Sequence, residues 1–137
     1  MELMIVMAVI AILMGLILPS FKGVKEEAQH SRVMGDLRTL QTALESYFIH
    51  HDNQYPAAGA DWQKALLEAT PKILQKNLTD PFSANKQPYF YMVNGFYYAI
   101  WSVGFKKDGS VGKVDEKTGK VTVNSEPIWV SNGDNHQ

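Results

Sequence analysis

Few side chains in this sequence are spaced for chemistry. His50 and His51 are adjacent near the end of a helical pattern, about 100° apart around the axis, so they do not converge on one metal. The i to i+4 spacing that would converge offers only Ser46 and Tyr47, while His30 and His136 stand alone. Glu26–Glu27 and Asp115–Glu116 are sequence neighbours, not carboxylates facing each other across a rigid element. No glycine-rich phosphate loop and no G-x-S-x-G elbow occurs. The stretch KKDGSVGKVDEKTG sets Asp108, Asp115 and Glu116 among glycines. Calcium takes oxygen ligands from loops of that kind. The spacing is not that of an EF-hand, and Lys106, Lys107 and Lys113 oppose a cation. A solvated turn without metal is the expectation, with calcium as the one cofactor to test. The residues give no support to an enzyme.

One acid stands apart. Glu2 sits at the mouth of an apolar run from Leu3 to Leu18, closed by Pro19. A carboxylate deep in hydrocarbon costs several kcal/mol, so an acid beside such a run calls for a partner or a position at its polar edge. A helix needs about 20 apolar residues to span a bilayer, and runs of about 10 to 14 usually belong to buried helices. This run falls between those limits. Three or four further apolar residues upstream would make a comfortable span, so the front of the chain reads as clipped.

The elements that must carry these residues follow from periodicity. Val33, Leu37, Leu40, Leu44 and Tyr47 recur at steps of four, three, four and three, which puts them on one helical face. Arg32, Asp36, Arg38, Gln41 and Glu45 fall on the others. One continuous helix from about Leu3 to about His50 is expected, its second half packed by the Val33–Tyr47 face. Gly15 and Pro19 are four residues apart, where a proline removes a backbone hydrogen bond and crowds the earlier carbonyl. A kink or hinge is expected there. HHDNQYP stops the helix, and Asp61 is placed to cap a short helix from Trp62 to Ala69. Two β-rich runs flank Asn94-Gly95, a strong hairpin signal. A second turn at Lys117–Lys120 follows, and PIWV is a last short strand. The sum is an α+β fold, a long helix laid on an antiparallel sheet of three or four strands. Residues 1–23 form the apolar helix half, and 24–137 form the globular part with the rest of the helix.

Composition sets limits on function. The net charge of −1 leaves no basic stripe for nucleic acid. No cysteine is present, so disulfides and thiol nucleophiles are excluded. Seven of the fifteen aromatic residues lie between Tyr89 and Trp101, and strand aromatics packed on the helix account for them better than base stacking does.

ELMIVMAVIAILMGLILPSF resembles the N-terminal helix of type IV pilins and of the pseudopilins of type II secretion. Glu2 matches the glutamate near the start of that helix, and Pro19 matches a proline common within it. DLRTLQTALESYFIHHDNQYP is similar to the pseudopilin stretch that ends in Tyr-Pro, here Tyr55-Pro56. TDPFSANKQPYFY and YAIWSVGFKKDG resemble the segments before and within the pseudopilin sheet. The leader and opening phenylalanine of those proteins have no counterpart here.

The resemblance implies a structural subunit of a pilin-like filament, most like a major pseudopilin. A type IV pilus subunit or minor pilin is the alternative within the family. An anchored module that grips a ligand on its aromatic sheet is the alternative outside it. Glu2 would serve assembly, facing the terminal ammonium of a neighbouring subunit. The implied partners are copies of the chain in a helical homopolymer, minor pseudopilins or pilins, an inner-membrane platform protein, an assembly ATPase complex and a prepilin peptidase. The implied location is the bacterial inner membrane, crossed once, with the globular domain in the periplasm, and then a periplasmic or extracellular filament. Lys22 and Lys25 after the apolar run favour the opposite orientation by the positive-inside rule.

Overall fold

The computed structural model describes residues 2–17 and 20–133. Two helices come first, α1 (Glu2–Ile17) and α2 (Ser20–His50), followed by the short α3 (Trp62–Glu68). Five strands follow: β1 (Phe90–Asn94), β2 (Tyr97–Ser102), β3 (Ser110–Val114), β4 (Val121–Asn124) and β5 (Ile128–Ser131). The helical stretch expected from Leu3 to His50 is thus present as α1 and α2. Pro19 and the bend expected at it lie outside the described residues.

Two compact units divide the chain, residues 1–31 and 32–137. Hydropathy placed the division at 23/24. Contact groups residues 32–137 together, and among the described side chains of α2 Val33 is the first that is buried. In the first unit, α1 is apolar all round and none of its residues is buried. Among the described residues no helix is both long and apolar enough to cross a membrane. The membrane-spanning first half expected from sequence therefore finds no support.

The second unit is layered. β1, β2 and β5 form an antiparallel sheet in the order β1-β2-β5. Its side chains alternate between faces, as a pleat requires. Tyr91, Tyr98, Ile100, Ile128 and Val130 join Val33, Leu37, Leu40 and Leu44 of α2 in the main core. Ala99 and Trp101 point the other way and share a smaller core with Val111 and Val114 of the β3–β4 hairpin. The sheet expected to hold three or four strands is thus a three-stranded sheet with a separate two-stranded one over its outer face.

Two local expectations shift. The first hairpin turns at Gly95-Phe96, not Asn94-Gly95, because Asn94 still pairs with Tyr97 in the ladder. Gly95 takes the positive φ of 61° that opens so tight a turn, and Asn94 donates its side-chain amide to Val114 O instead. Asp61 precedes α3 but makes no side-chain capping bond. That helix is held by its buried face, Trp62, Gln63 and Leu66, and Gln63 exchanges two hydrogen bonds with the backbone of Leu78.

Candidate functional site

The most unusual surface of the molecule is α1. A soluble helix normally carries a polar face, but Leu3, Met4, Ile5, Met7, Ile12 and Leu16 are all more than 60% exposed. Glu2 is the acid of its first turn and lines a shallow depression with Leu3, Val6 and Met7. A carboxylate at a helix N-terminus is favourably placed against the backbone dipole. Gly15 has open space around the position a Cβ would take. This surface can associate. Glu2 is the one ionisable group among its described residues.

The sheet-facing stripe of α2 is arranged differently. Val33, Leu37, Leu40 and Leu44 have no exposed surface, and Tyr47 is half-buried against the same core. Beside the stripe run two polar seams that periodicity alone assigned to outer faces. Asp36 accepts the Tyr89 hydroxyl at 2.9 Å. Glu45 accepts the hydroxyls of Tyr98 at 2.9 Å and Tyr55 at 3.2 Å. Asn132 completes the cluster, donating to Tyr55 Oη at 3.2 Å and accepting from the Tyr98 amide at 2.8 Å. Burial, reinforced by the Glu45 charge, pushes the Tyr55 hydroxyl up to about 12. Tyr98 is raised further by burial and then by its bond to Glu45. Asp36 and Glu45 lie nine residues apart, about 180° around the helix, one on each side of the apolar stripe. That spacing was the available signal, together with tyrosine hydroxyls in the strands that needed partners.

A third polar group went unnoticed in sequence. Asp80 is fully buried, and Oδ1 accepts from the Phe82 amide at 2.9 Å and Ser102 Oγ at 2.8 Å. Oδ2 accepts from the Val103 amide at 2.9 Å. The Asp80-Pro81-Phe82 turn is thereby tied to the end of β2.

Among the described residues, His50, His51 and the acidic loop form local hydrogen bonds, and His136 lies outside the described residues. Nδ1 of His50 donates to Ser46 O and Nδ1 of His51 to Tyr47 O, each back one turn. The His51 ring stacks on Tyr47 at 3.8 Å. Asp115 closes its own turn, Oδ1 accepting from the Lys117 and Thr118 amides and the Thr118 hydroxyl. Those bonds hold its carboxyl below the ordinary value. Asp108 accepts from Ser125, and the Glu116 side chain lies beside Gly95. Among the described residues no three metal-ligating side chains cluster. Of the aromatic residues in and beside the sheet, Tyr89, Tyr91, Tyr98 and Trp101 are buried, while Phe90 and Phe96 are exposed.

The chain thus combines an exposed apolar helix in its first unit with an α+β domain in its second. The chain is 25% identical over 120 residues to type II secretion system core protein G of Pectobacterium carotovorum subsp. carotovorum, a match covering 83% of this chain and 68% of that protein. No family model and no solved structure matches.

Proposed function

We propose that this chain is a pseudopilin-like structural subunit of a type II secretion apparatus, associated with the cell envelope, that works by polymerising and not by catalysis. The observation that carries this reading is α1, an apolar helix with no buried residue. Its residues gain from burial at roughly 25 cal/mol per Å² of apolar area, and like helices from other copies supply that burial. The similarity to a secretion core protein supports the same reading. Glu2 then acts as the assembly key. Two acids in neighbouring helices repel unless each meets a cation, and a charge left unpaired in a dry bundle is penalised. Such a pair forms in the correct register alone and so selects the position of the next subunit. Mechanical work falls to partner proteins, since this chain carries no nucleotide motif.

The test is expression of the full chain with and without type II secretion components. Envelope filaments should appear in sheared fractions when the machinery is present. Persistent monomers in both settings would overturn the reading.

A further inference from the structure

The chain has six methionines and no cysteine, so no thiol of its own competes with the thioethers for an oxidant. Met1 lies outside the described residues. Of the other five, three belong to α1: Met4 is 77% exposed, Met7 63% and Met14 62%. Met34 and Met92 are instead half-buried, the first against the main core and the second against the smaller one. An oxidant must reach the sulfur to react, so exposure sets the order of the sites. The three exposed residues also share one side of the helix. Steps of three and seven put Met4, Met7 and Met14 within about 80° around the axis. Met7 in addition lines the shallow depression beside Glu2.

In the reaction a sulfur lone pair attacks one oxygen of hydrogen peroxide, and an S–O bond forms as the O–O bond breaks. The proton on the delivered oxygen passes to the departing hydroxide, which leaves as water. Sulfur loses two electrons and the peroxide gains them. The product is a sulfoxide, polar where the thioether was apolar, and reductases return it to methionine. In that return a dithiol is oxidised to a disulfide and the oxygen leaves as water.

We propose that Met4, Met7 and Met14 form a reversible oxidation site, at which a peroxide turns one side of α1 polar and keeps the free chain out of the filament. This rests on the filament reading above. A sulfoxide oxygen accepts hydrogen bonds, and Glu2 apart, no side chain of α1 can donate one. A bundle of like helices therefore buries these oxygens without partners, which is penalised. In water the same oxygens are solvated, so oxidation favours the free chain. Assembly and oxidation then exclude each other. Burial in the bundle shields the thioethers, and sulfoxides oppose burial.

The test uses cells that carry the full chain and the type II secretion components. Filaments are sheared off, protein synthesis is stopped, and hydrogen peroxide is pulsed and quenched before regrowth. Mass spectrometry then locates sulfoxides in the unassembled chain and in the regrown filaments. They should form at Met4, Met7 and Met14 before Met34 and Met92. At those three sites they should be about fivefold rarer in filaments than in the unassembled pool. Wild-type regrowth should fall about fivefold after the pulse, while the triple variant Met4→Leu, Met7→Leu, Met14→Leu, which keeps volume and apolarity, should regrow undiminished. Equal sulfoxide fractions in filament and pool overturn the proposal, as does a triple variant that falls as far as the wild type. Both leave the pseudopilin reading standing. Should the triple variant not assemble even without peroxide, the wild-type comparison of filament with pool decides alone. Failure of the wild-type chain to form filaments before any peroxide removes both.

Discussion

Tyr98 donates its hydroxyl to Glu45 Oε1 at 2.9 Å, joining the middle of the sheet to the helix that covers it. Tyr55 shares the same carboxylate, so one acid serves two phenols. The folded state holds these hydroxyls protonated above their ordinary value of 10, Tyr55 up to about 12 and Tyr98 beyond it. A group raised on folding stabilises the fold fully below its unfolded pKa, and that contribution is lost as pH rises through the folded one. Stability should therefore hold to about pH 10 and then fall toward pH 12. Thermal melts across that window, read with the tyrosinate absorbance, check it. Tyr98→Phe should flatten the alkaline decline. An equally steep decline in that variant would place its cause elsewhere.

Asp80→Ala should be the most damaging single change in the second unit. It leaves three donors, the Phe82 amide, the Val103 amide and Ser102 Oγ, without their carboxylate. Buried donors stripped of partners cost about 1–3 kcal/mol each. Asp80→Asn should rescue only in part, because its amide nitrogen would face the Val103 N–H if its oxygen keeps the other two donors. Denaturant unfolding of the two variants against the native chain gives the ordering.

Leu40→Ala should cost about 2–5 kcal/mol, as large-to-small changes in packed cores do. Leu40 has no exposed surface and lies in the core shared with Tyr98 and Ile100. A loss below half of that lower figure in a denaturant melt would mean that the helix face tolerates collapse.

Period decided how much of this was readable beforehand. The four-three spacing from Val33 to Tyr47 marks the covered face of α2, and the turn residues mark the hairpins. Asp36 and Glu45 were read as outward because hydropathy scores a residue's type, not its partner. A carboxylate at the margin of an apolar stripe turns inward when a tyrosine hydroxyl waits there, and which tyrosine waits depends on strand order. The same limit hid Asp80, whose donors come from Phe82 in its own loop and from Ser102 and Val103 some twenty residues on. Splitting of the strands into two sheets is likewise nonlocal: β5 pairs with β2, passing over the hairpin next to it in sequence. At α1 the helix itself was legible in the contiguous run, while the membrane span expected of it finds no support.

Asp115→Ala should loosen the turn between β3 and β4 without removing a ligand. Its Oδ1 takes three bonds from Lys117 and Thr118, which hold the carboxyl below its ordinary 3.8. A depressed carboxyl stabilises above its unfolded pKa, and that contribution is lost as pH falls through the folded value. The effect should thus begin to fade below about pH 4 and disappear as pH falls through the lower folded value. Millimolar calcium should leave the melting temperature of the native chain unchanged, since a ligand at a real site stabilises by mass action. A calcium-dependent rise that Asp115→Ala abolishes would reassign the loop as a metal site.

Glu2→Ala should separate assembly from folding. No residue of α1 is buried, so the substitution removes nothing from a core, and the melting temperature of the full chain should not move. Assembly is another matter. In a bundle of apolar helices the acid is the one group that distinguishes registers, and its loss leaves the facing ammonium buried without a partner. An uncompensated buried charge costs about 3–5 kcal/mol, and the penalty recurs at every subunit contact along a polymer. Filament yield should collapse while the amount of folded chain stays constant. Glu2→Gln refines the point, keeping size and hydrogen-bonding capacity but not charge. If the charge is what matters, Gln should fail nearly as badly as Ala. The comparison needs processed full-length protein, with sheared filaments and envelope fractions quantified side by side. Equal filament yields from Glu2→Ala and the native chain would reduce Glu2 to a polar helix end with no part in assembly.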